Sequence, residues 1–568
     1  MAKPISILHW LPISLAIGGC GLHPEPAQPD VAANPATSAA TRPFPVDTLY
    51  SLLVAETAVN RGQLDIALAN YYQQAYQTRD SNVTRQGTLL AQHMGAAQAA
   101  LDLALLWSDL DPENPEPAYL AGQYLIAFQR PDLAMQQSRR LLDLDAQTLY
   151  VGIASSPAAK DKNTGAQLLK EYRELLQQHP ENIDLLLGQA ALLESQGDLA
   201  DSLTSIEKAR DIDDKNLQAR LFEVDILYKS GRPDKAIHRM ADIIKDDPEN
   251  SRLRLQYARL LSEQDLAKAL EQFDYLARSN SMEPDLLLAR AMANYQLNRQ
   301  VEAQDQFEQL IFLKKYTDTA YFYMGEIARS NKKTDMAIEY YRRVEDGNEY
   351  LPAAVRSFDL LVSENKRMEG QQWLTAQRKS HPDLSIRLYL IEADVLLQQG
   401  DLARSLAALN EGIQKHPEQI ELYYARSLIL EKQGDTRSAE TDLRFVLAAQ
   451  PDNASALNAL GYLLADNNTN LDEAYRLINK AQALRPEDPA IMDSMGWILY
   501  RQGHNEEAIL RLQRAFDLDP NDEIAAHLGE VLWANQQQRD AESIWKKGLK
   551  IKPDSELIHN TRKRLQGS

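Results

Sequence analysis

The sequence predicts an all-α chain folded as a right-handed superhelical solenoid of stacked helix pairs. Two observations predict it. Prolines 417, 451, 486, 520 and 553 lie 34, 35, 34 and 33 residues apart, and Pro180 and Pro248 lie 68 apart, twice that interval. Between prolines, small and large residues recur in one rhythm. Gly496 is followed at steps of 12, 4, 3 and 5 by Ala508, Leu512, Ala515 and Pro520. Gly529 is followed at the same steps by Ala541, Trp545, Gly548 and Pro553. A fixed period of this length is the mark of a repeat array, in which each unit buries its apolar face against its neighbours.

The elements follow in chain order. Residues 1–19 read as a secretory signal: Lys3 supplies the positive start, and Ile5 to Ile17 is mostly apolar but too short to span a bilayer. Ile17-Gly18-Gly19-Cys20 resembles a bacterial lipobox, and Cys20 is the chain's single cysteine. Such a cysteine carries several acyl chains, which anchor stably where one does not. Gly21, in place of Asp, implies transfer to the outer membrane. Residues 20–46 form the lipidated Cys and a Pro/Ala-rich linker, too poor in large apolar residues to pack.

Residues 47–554 form the solenoid, with room for about fifteen units, of which about 11–14 are expected to be recognisable. Each unit is two helices. Small residues such as Gly496 and Ala508 let the helices approach, and steps of 4 and 3 keep Ala508, Leu512 and Ala515 on one face. Proline opens the next unit, because the residue before it does not continue a helix. This is the 34-residue tetratricopeptide pattern. Residues 146–165 break it and are read as a degenerate unit, and residues 555–568 as a C-terminal capping helix with Leu557, Ile558 and Leu565.

Composition and motifs narrow the function. The net charge of -20 argues against nucleic acid, which needs a basic face. One cysteine forms no intrachain disulfide and no cysteine-based metal site. No GxxxxGK[ST], HExxH or GxGxxG motif is present, so no cofactor, no metal and no enzyme activity are expected. The run Asp493-Ser494-Met495-Gly496 weakly resembles a nucleophile elbow, but Met492 stands where the first glycine belongs. His179, His381 and His416 each precede a proline and read as polar turn residues. Glu392 and Arg426 each sit one residue before the small first-helix position in adjacent repeats. They are expected to form a structural pair joining two helices.

The first helix of each unit should line the concave surface. Residues three before, and one, four and five after, the small residue then face inward. That rule selects Asn458 and Tyr462, then Asp493, Trp497, Tyr500 and Arg501, then Glu530 and Trp533, as a protein-binding groove. Within it, Asp493 and Arg501 are expected to matter little to packing.

Several blocks carry a resemblance. They are Asp442-Leu443-Arg444-Phe445-Val446-Leu447, Ala456-Leu457-Asn458-Ala459-Leu460-Gly461-Tyr462 and Asp493-Ser494-Met495-Gly496-Trp497. Ala525-Ala526-His527-Leu528-Gly529-Glu530-Val531-Leu532-Trp533-Ala534 is another, and Asp47-Thr48-Leu49-Tyr50 and Asp65-Ile66-Ala67-Leu68 match near the start. Together they resemble the pseudomonad outer-membrane tetratricopeptide lipoproteins that partner a periplasmic carboxyl-terminal processing protease. The resemblance implies a non-enzymatic adaptor, facing the periplasm and held in the outer membrane by its lipid anchor. It would bind that serine protease and its clients, peptidoglycan cross-link hydrolases, and so restrain cell-wall hydrolysis. The alternative is a scaffold lipoprotein for outer-membrane protein or pilus assembly.

Overall fold

The computed structural model describes residues 45–567 apart from Asn280. The expected signal, Cys20 and most of the linker lie outside the described residues. Among the described residues there is no strand. Thirty-one α-helices are described there, from Val46–Asn60 to Glu556–Gln566, and they fall into fifteen successive pairs and one closing helix. The chain divides into two compact units, up to Gln306 and from Phe307, with the divide inside the helix Gln300–Phe312.

The helix boundaries come from local chemistry. After each of several repeat-ending Pro–acid pairs an Asn caps the next first helix. Asn182 accepts from the Leu185 N–H, Asn250 from Leu253 and Asn453 from Ala456. Such a cap satisfies one of the amide donors left free at a helix start. Second helices are capped by Asp in places, as Asp401 does for Arg404 and Asp435 for Ser438. Between the two helices the chain reverses through a left-handed residue, at φ 82° in Gly434 and 86° in Gly503, a region glycine enters without a Cβ clash.

In the first unit the longest core runs from Leu101 to Phe222 and Ile226. It includes the irregular stretch, where a five-residue helix Tyr150–Ala154 and a 3-10 turn Pro157–Lys160 replace a full first helix. Asp184 from the next repeat accepts the Tyr150 N–H at 2.9 Å and ties the short helix down. Tyr172 fills the space beneath, its hydroxyl donating to the Tyr150 carbonyl at 2.6 Å.

In the second unit a continuous core runs from Leu430 to Ile558. Its glycines are places of close approach: a Cβ on Gly529 would lie 2.0 Å from Trp545 Nε1, and one on Gly496 2.5 Å from Leu512 Cγ. First helices of successive repeats pack on one another, as Ala454–Asp466 does on Pro489–Arg501, whereas the second helices of these C-terminal repeats, from Arg367–Ser380 to Gln538–Ile551, make no comparable contact. The first-helix side of these repeats is therefore the shorter, concave one.

His381 and His416 close their own repeats. The His381 ring lies 3.0 Å from the Tyr350 hydroxyl and from the Glu345 carbonyl, and His416 lies 3.0 Å from the Ser385 hydroxyl. Glu392 and Arg426 do not pair with each other, which corrects the sequence expectation. Glu392 is bound by Arg378 and by Gln371, both on the preceding helix Arg367–Ser380. Arg426 donates two 2.7 Å bonds to Asp442 and one to Asn410. In each case a second helix lies beside the side chain, nearer than the equivalent position one repeat away.

Candidate protein-binding face

The predicted groove residues come together on the first helices of the last repeats: Ala454–Asp466, Pro489–Arg501 and Asp522–Ala534. They do so in two layers. Asp493, Trp497 and Glu530 form a buried floor, 5, 4 and 3% exposed, while Asn458, Tyr462, Tyr500, Arg501 and Trp533 are half-buried above it.

The floor is organised by a residue the groove rule passes over. His527, 9% exposed, meets both Asp493 carboxylate oxygens through Nδ1, at 3.0 and 2.9 Å. Its Nε2 lies 3.3 Å from the Tyr462 hydroxyl, two repeats back along the chain. The Trp497 indole stacks on the imidazole, centroids 4.4 Å apart. Burial opposes the charge on His527. The Asp493 carboxylate, seconded by Glu523 and Asp466, overrides it and lifts the imidazole to about 9. At neutral pH the pair is therefore a buried ion pair. The expectation that Asp493 matters little to packing is overturned, because its carboxylate sits 34 residues from His527, one repeat stacked on the next.

A second link closes the end of the array. Buried Glu530 receives Arg564 of the closing helix, and the Tyr500 hydroxyl donates to it at 3.5 Å. Arg501 lies 5.9 Å from the Trp497 ring centroid and reaches the Asp466 carbonyl at 3.5 Å. Trp533 stacks on core Trp545, centroids 5.7 Å apart.

Three more carboxylates lie within electrostatic reach of this floor: half-buried Glu431 and exposed Asp466 and Glu523. Among the described residues none of the three has a hydrogen-bond or ion-pair partner for its side chain. Loss of water, then the fields of Asp466 and Glu523, push the Glu431 carboxyl up to about 7. Glu523 is raised by the same loss of water and by Asp493 and Asp522, against the pull of His527. Burial, then Asp466, Glu523, Asp493 and Glu431, drives the Tyr462 phenol upward too. Glu431 stands four after Ser427, so the groove rule extended one repeat back would have found it; Asp466, five after Gly461, already satisfies the rule although the sequence reading did not select it. His527 and Glu523 stand two and six before Gly529, outside that rule.

Family models described as tetratricopeptide repeats match residues 193–260 and, further on, 390–436, 424–489 and 494–556. A TPR repeat-containing protein of Pseudomonas aeruginosa is 39% identical over 531 residues, 92% of this chain and 90% of the relative. The chain belongs to the tetratricopeptide repeat family. The cellulose synthase operon protein C of Pseudomonas fluorescens is 24% identical over 61% of this chain and 32% of its own length. Among solved structures, the APC/C hetero-tetramer Cut9–Hcn1 is 14% identical over 92% of this chain and 96% of that one, with a TM-score of 0.33. A thermophilic TPR protein of Thermus thermophilus is 18% identical over 32% of this chain and 97% of its own, with a TM-score of 0.29. The tetratricopeptide repeat is a scaffold for protein contacts. Half-exposed Tyr, Trp and Arg on one side of adjacent repeats are the side chains that anchor such contacts.

Proposed function

We propose that the chain is a non-enzymatic adaptor that binds a carboxyl-terminal processing serine protease together with its peptidoglycan cross-link hydrolase clients. Cys20, acylated, would hold it in the outer membrane with the array in the periplasm. The observation that carries the adaptor reading is the extent of the array. Among the described residues every α-helix belongs to a repeat pair or closes the last one, and first helix packs on first helix from Ala454–Asp466 through Pro489–Arg501 and Asp522–Ala534 to the closing helix. The C-terminal blocks quoted above supply the link to a protease partner, and they coincide with the repeats that carry the face. An adaptor needs no reactive group of its own. Holding protease and client on one body makes their encounter nearly intramolecular, and effective concentrations reach the millimolar range for short tethers. Faster client loss would then restrain cell-wall opening.

The test is reconstitution. The purified mature chain alone should leave a hydrolase client intact, and should speed its cleavage when a carboxyl-terminal processing protease is added. Equal cleavage rates with and without the chain sink the adaptor reading. Recovery of outer-membrane or pilus assembly machinery, in place of a protease, from chain isolated out of membranes would favour the assembly-scaffold alternative. For the anchor, Cys20→Ser should abolish palmitate labelling and release the chain from membranes. Label retained in the variant refutes it.

A further inference from the structure

The first described helix, Val46–Asn60, packs with one side on Leu64–Thr78. Thr48, Ala55 and Ala58 form that buried side. Val46, Leu49, Tyr50 and Leu53 point the other way and are 84, 62, 69 and 64% exposed. Steps of 3, 1 and 3 put the four on one arc, over the first two turns. Thr57 and Asn60 continue the arc, so it carries no charge. Asp47 and Glu56 border it, and Glu56 accepts from the Tyr71 hydroxyl. Other strongly exposed large apolar residues stand apart: Val301 and Phe312 at opposite ends of one helix, Met368 and Leu510 on two others. Scattered residues of that kind are ordinary, whereas a contiguous apolar arc marks a surface that something covers. The other end of the array shows the contrast. Its closing helix covers the last pair with Ile558 and presents Glu556, Asn560, Lys563 and Arg564 to water beside Leu557, the mostly polar outer side a terminal element needs.

Three considerations select the occupant. Residues 21–44 offer only Leu22, Val31 and Phe44 as large apolar side chains, nine and thirteen residues apart, so they do not form one surface to match the arc. A second copy docking through the same arc would bury four side chains on a helix of about 22 Å. That is well short of the ~800 Å² per partner of a standard stable interface. Position favours a lipid surface. Only residues 21–45 separate the arc from Cys20, and a flexible chain of that length spans roughly 25–30 Å. A lipid anchor at Cys20 thus keeps the arc beside the bilayer at an effective concentration on the order of millimolar, where a weak surface affinity suffices. Lipid asks for no matched shape, and Tyr50, apolar in its ring and polar at its tip, suits the headgroup boundary. Val46–Asn60 contains no Lys or Arg, so the attraction is apolar and needs no anionic lipid.

We infer that the arc of Val46, Leu49, Tyr50 and Leu53 rests on the lipid surface that holds the Cys20 anchor, so that this helix lies along the headgroups and seats the first repeat against the bilayer. This rests on the anchor reading of Cys20 and adds a second contact to it. The acyl chains supply attachment. The helix supplies orientation, because an array tied only through a flexible linker turns freely.

The experiment uses the full mature chain. Its single thiol, Cys20, is coupled to a maleimide-bearing lipid in neutral phosphatidylcholine vesicles, so the tether does not depend on acylation in the cell. Amide hydrogen exchange is followed in wild type, in Leu49→Gln with Leu53→Gln, and in a control, Met368→Gln with Leu510→Gln, also strongly exposed but on second helices. Glutamine keeps helix propensity, and the melting midpoint of the uncoupled chain should match in all three. On vesicles, Val46–Asn60 should exchange about tenfold more slowly in wild type and control than in the uncoupled chain, and at the uncoupled rate in the first double variant. The slowing should persist at high salt. If the first double variant loses its first helix, Tyr50→Gln takes its place. Wild type without slowing overturns the lipid face, as does equal slowing in the first double variant, which reports crowding at the surface alone. Slowing in the uncoupled chain that grows with its concentration assigns the arc to a second copy, and slowing only after the protease is added assigns it to a polypeptide. Either result overturns the proposal. Palmitate labelling in cells judges the anchor separately: an unlabelled wild type overturns the anchor reading, while slowing on vesicles upholds the lipid face.

Discussion

Replacing Asp493 by Asn keeps the shape of the buried floor and removes the charge facing His527. The magnitude follows from the geometry. His527 is nearly buried, and its imidazole rises from an ordinary 6.5 to about 9 because Asp493 lies 2.9 Å away. A histidine whose folded pKa is raised contributes stability that is fully present below the unfolded value, near pH 6.5. That stability is lost as pH rises through the folded value. At pH 7 nearly all of it remains, on the order of 3 kcal/mol at 1.36 kcal/mol per pKa unit. Without Asp493 the imidazole is neutral at pH 7 and the contribution disappears. A repeat array unfolds by parts, so one global melt would blur the loss. Amide hydrogen exchange localises it. In Asp493→Asn at pH 7, the helices Pro489–Arg501 and Asp522–Ala534 should exchange about a hundredfold faster, and helices before Gln306 should be unchanged. Unchanged protection in those two helices would refute the assignment of a buried ion pair.

The pH dependence follows the same signs. The Glu431 carboxyl, raised to about 7, withdraws stability as pH climbs from its unfolded range to 7, and His527 does so from 6.5 to 9. The melting of the C-terminal repeats should thus fall steadily from pH 6 to pH 9, and His527→Gln should flatten the upper half of that slope. Gly529→Ala should be strongly destabilising, by several kcal/mol, although Ala for Gly inside a helix ordinarily gains about 1 kcal/mol. The added Cβ meets the Trp545 ring, and a stable variant by thermal melting would disprove that close approach. Arg378→Ala should cost about 3–5 kcal/mol by leaving Glu392 buried and uncompensated, and Arg378→Met with Glu392→Met should recover most of it in chemical denaturation.

Much of the fold was legible because a repeat writes its packing rule many times over. The 12, 4, 3, 5 rhythm marks where Gly496 meets Leu512 and where Gly529 meets Trp545, and both contacts are present. The Asn after a repeat-ending proline is visible as a pattern, and its physical meaning is a helix cap. Polar partnerships were less legible. Glu392 and Arg426 break the apolar pattern and so announce that partners exist, but the choice of partner depends on which helix lies beside the side chain. Asp493 reads from the sequence as a groove residue open to a partner protein, because its complement is not within its own repeat. The complement, His527, arrives from the next repeat. The Tyr462 contact to that same histidine spans 65 residues, and its existence depends on curvature, which no single repeat encodes.

That dependence on curvature couples repeats that are not neighbours. A solenoid is held by nearest-neighbour interfaces, so its curvature is softer than the packing inside any one repeat. Contacts that skip a repeat act on curvature directly, and Tyr462 with His527 is such a contact. It draws the first helices Ala454–Asp466 and Asp522–Ala534 together across the helix between them. Tyr462→Phe keeps the ring and removes the hydroxyl that meets His527. The prediction is that hydrogen exchange then speeds up in Ala454–Asp466 and in Asp522–Ala534 together, although the substitution lies on the first of them alone. Faster exchange confined to Ala454–Asp466 would show that the two helices are not tied through this contact.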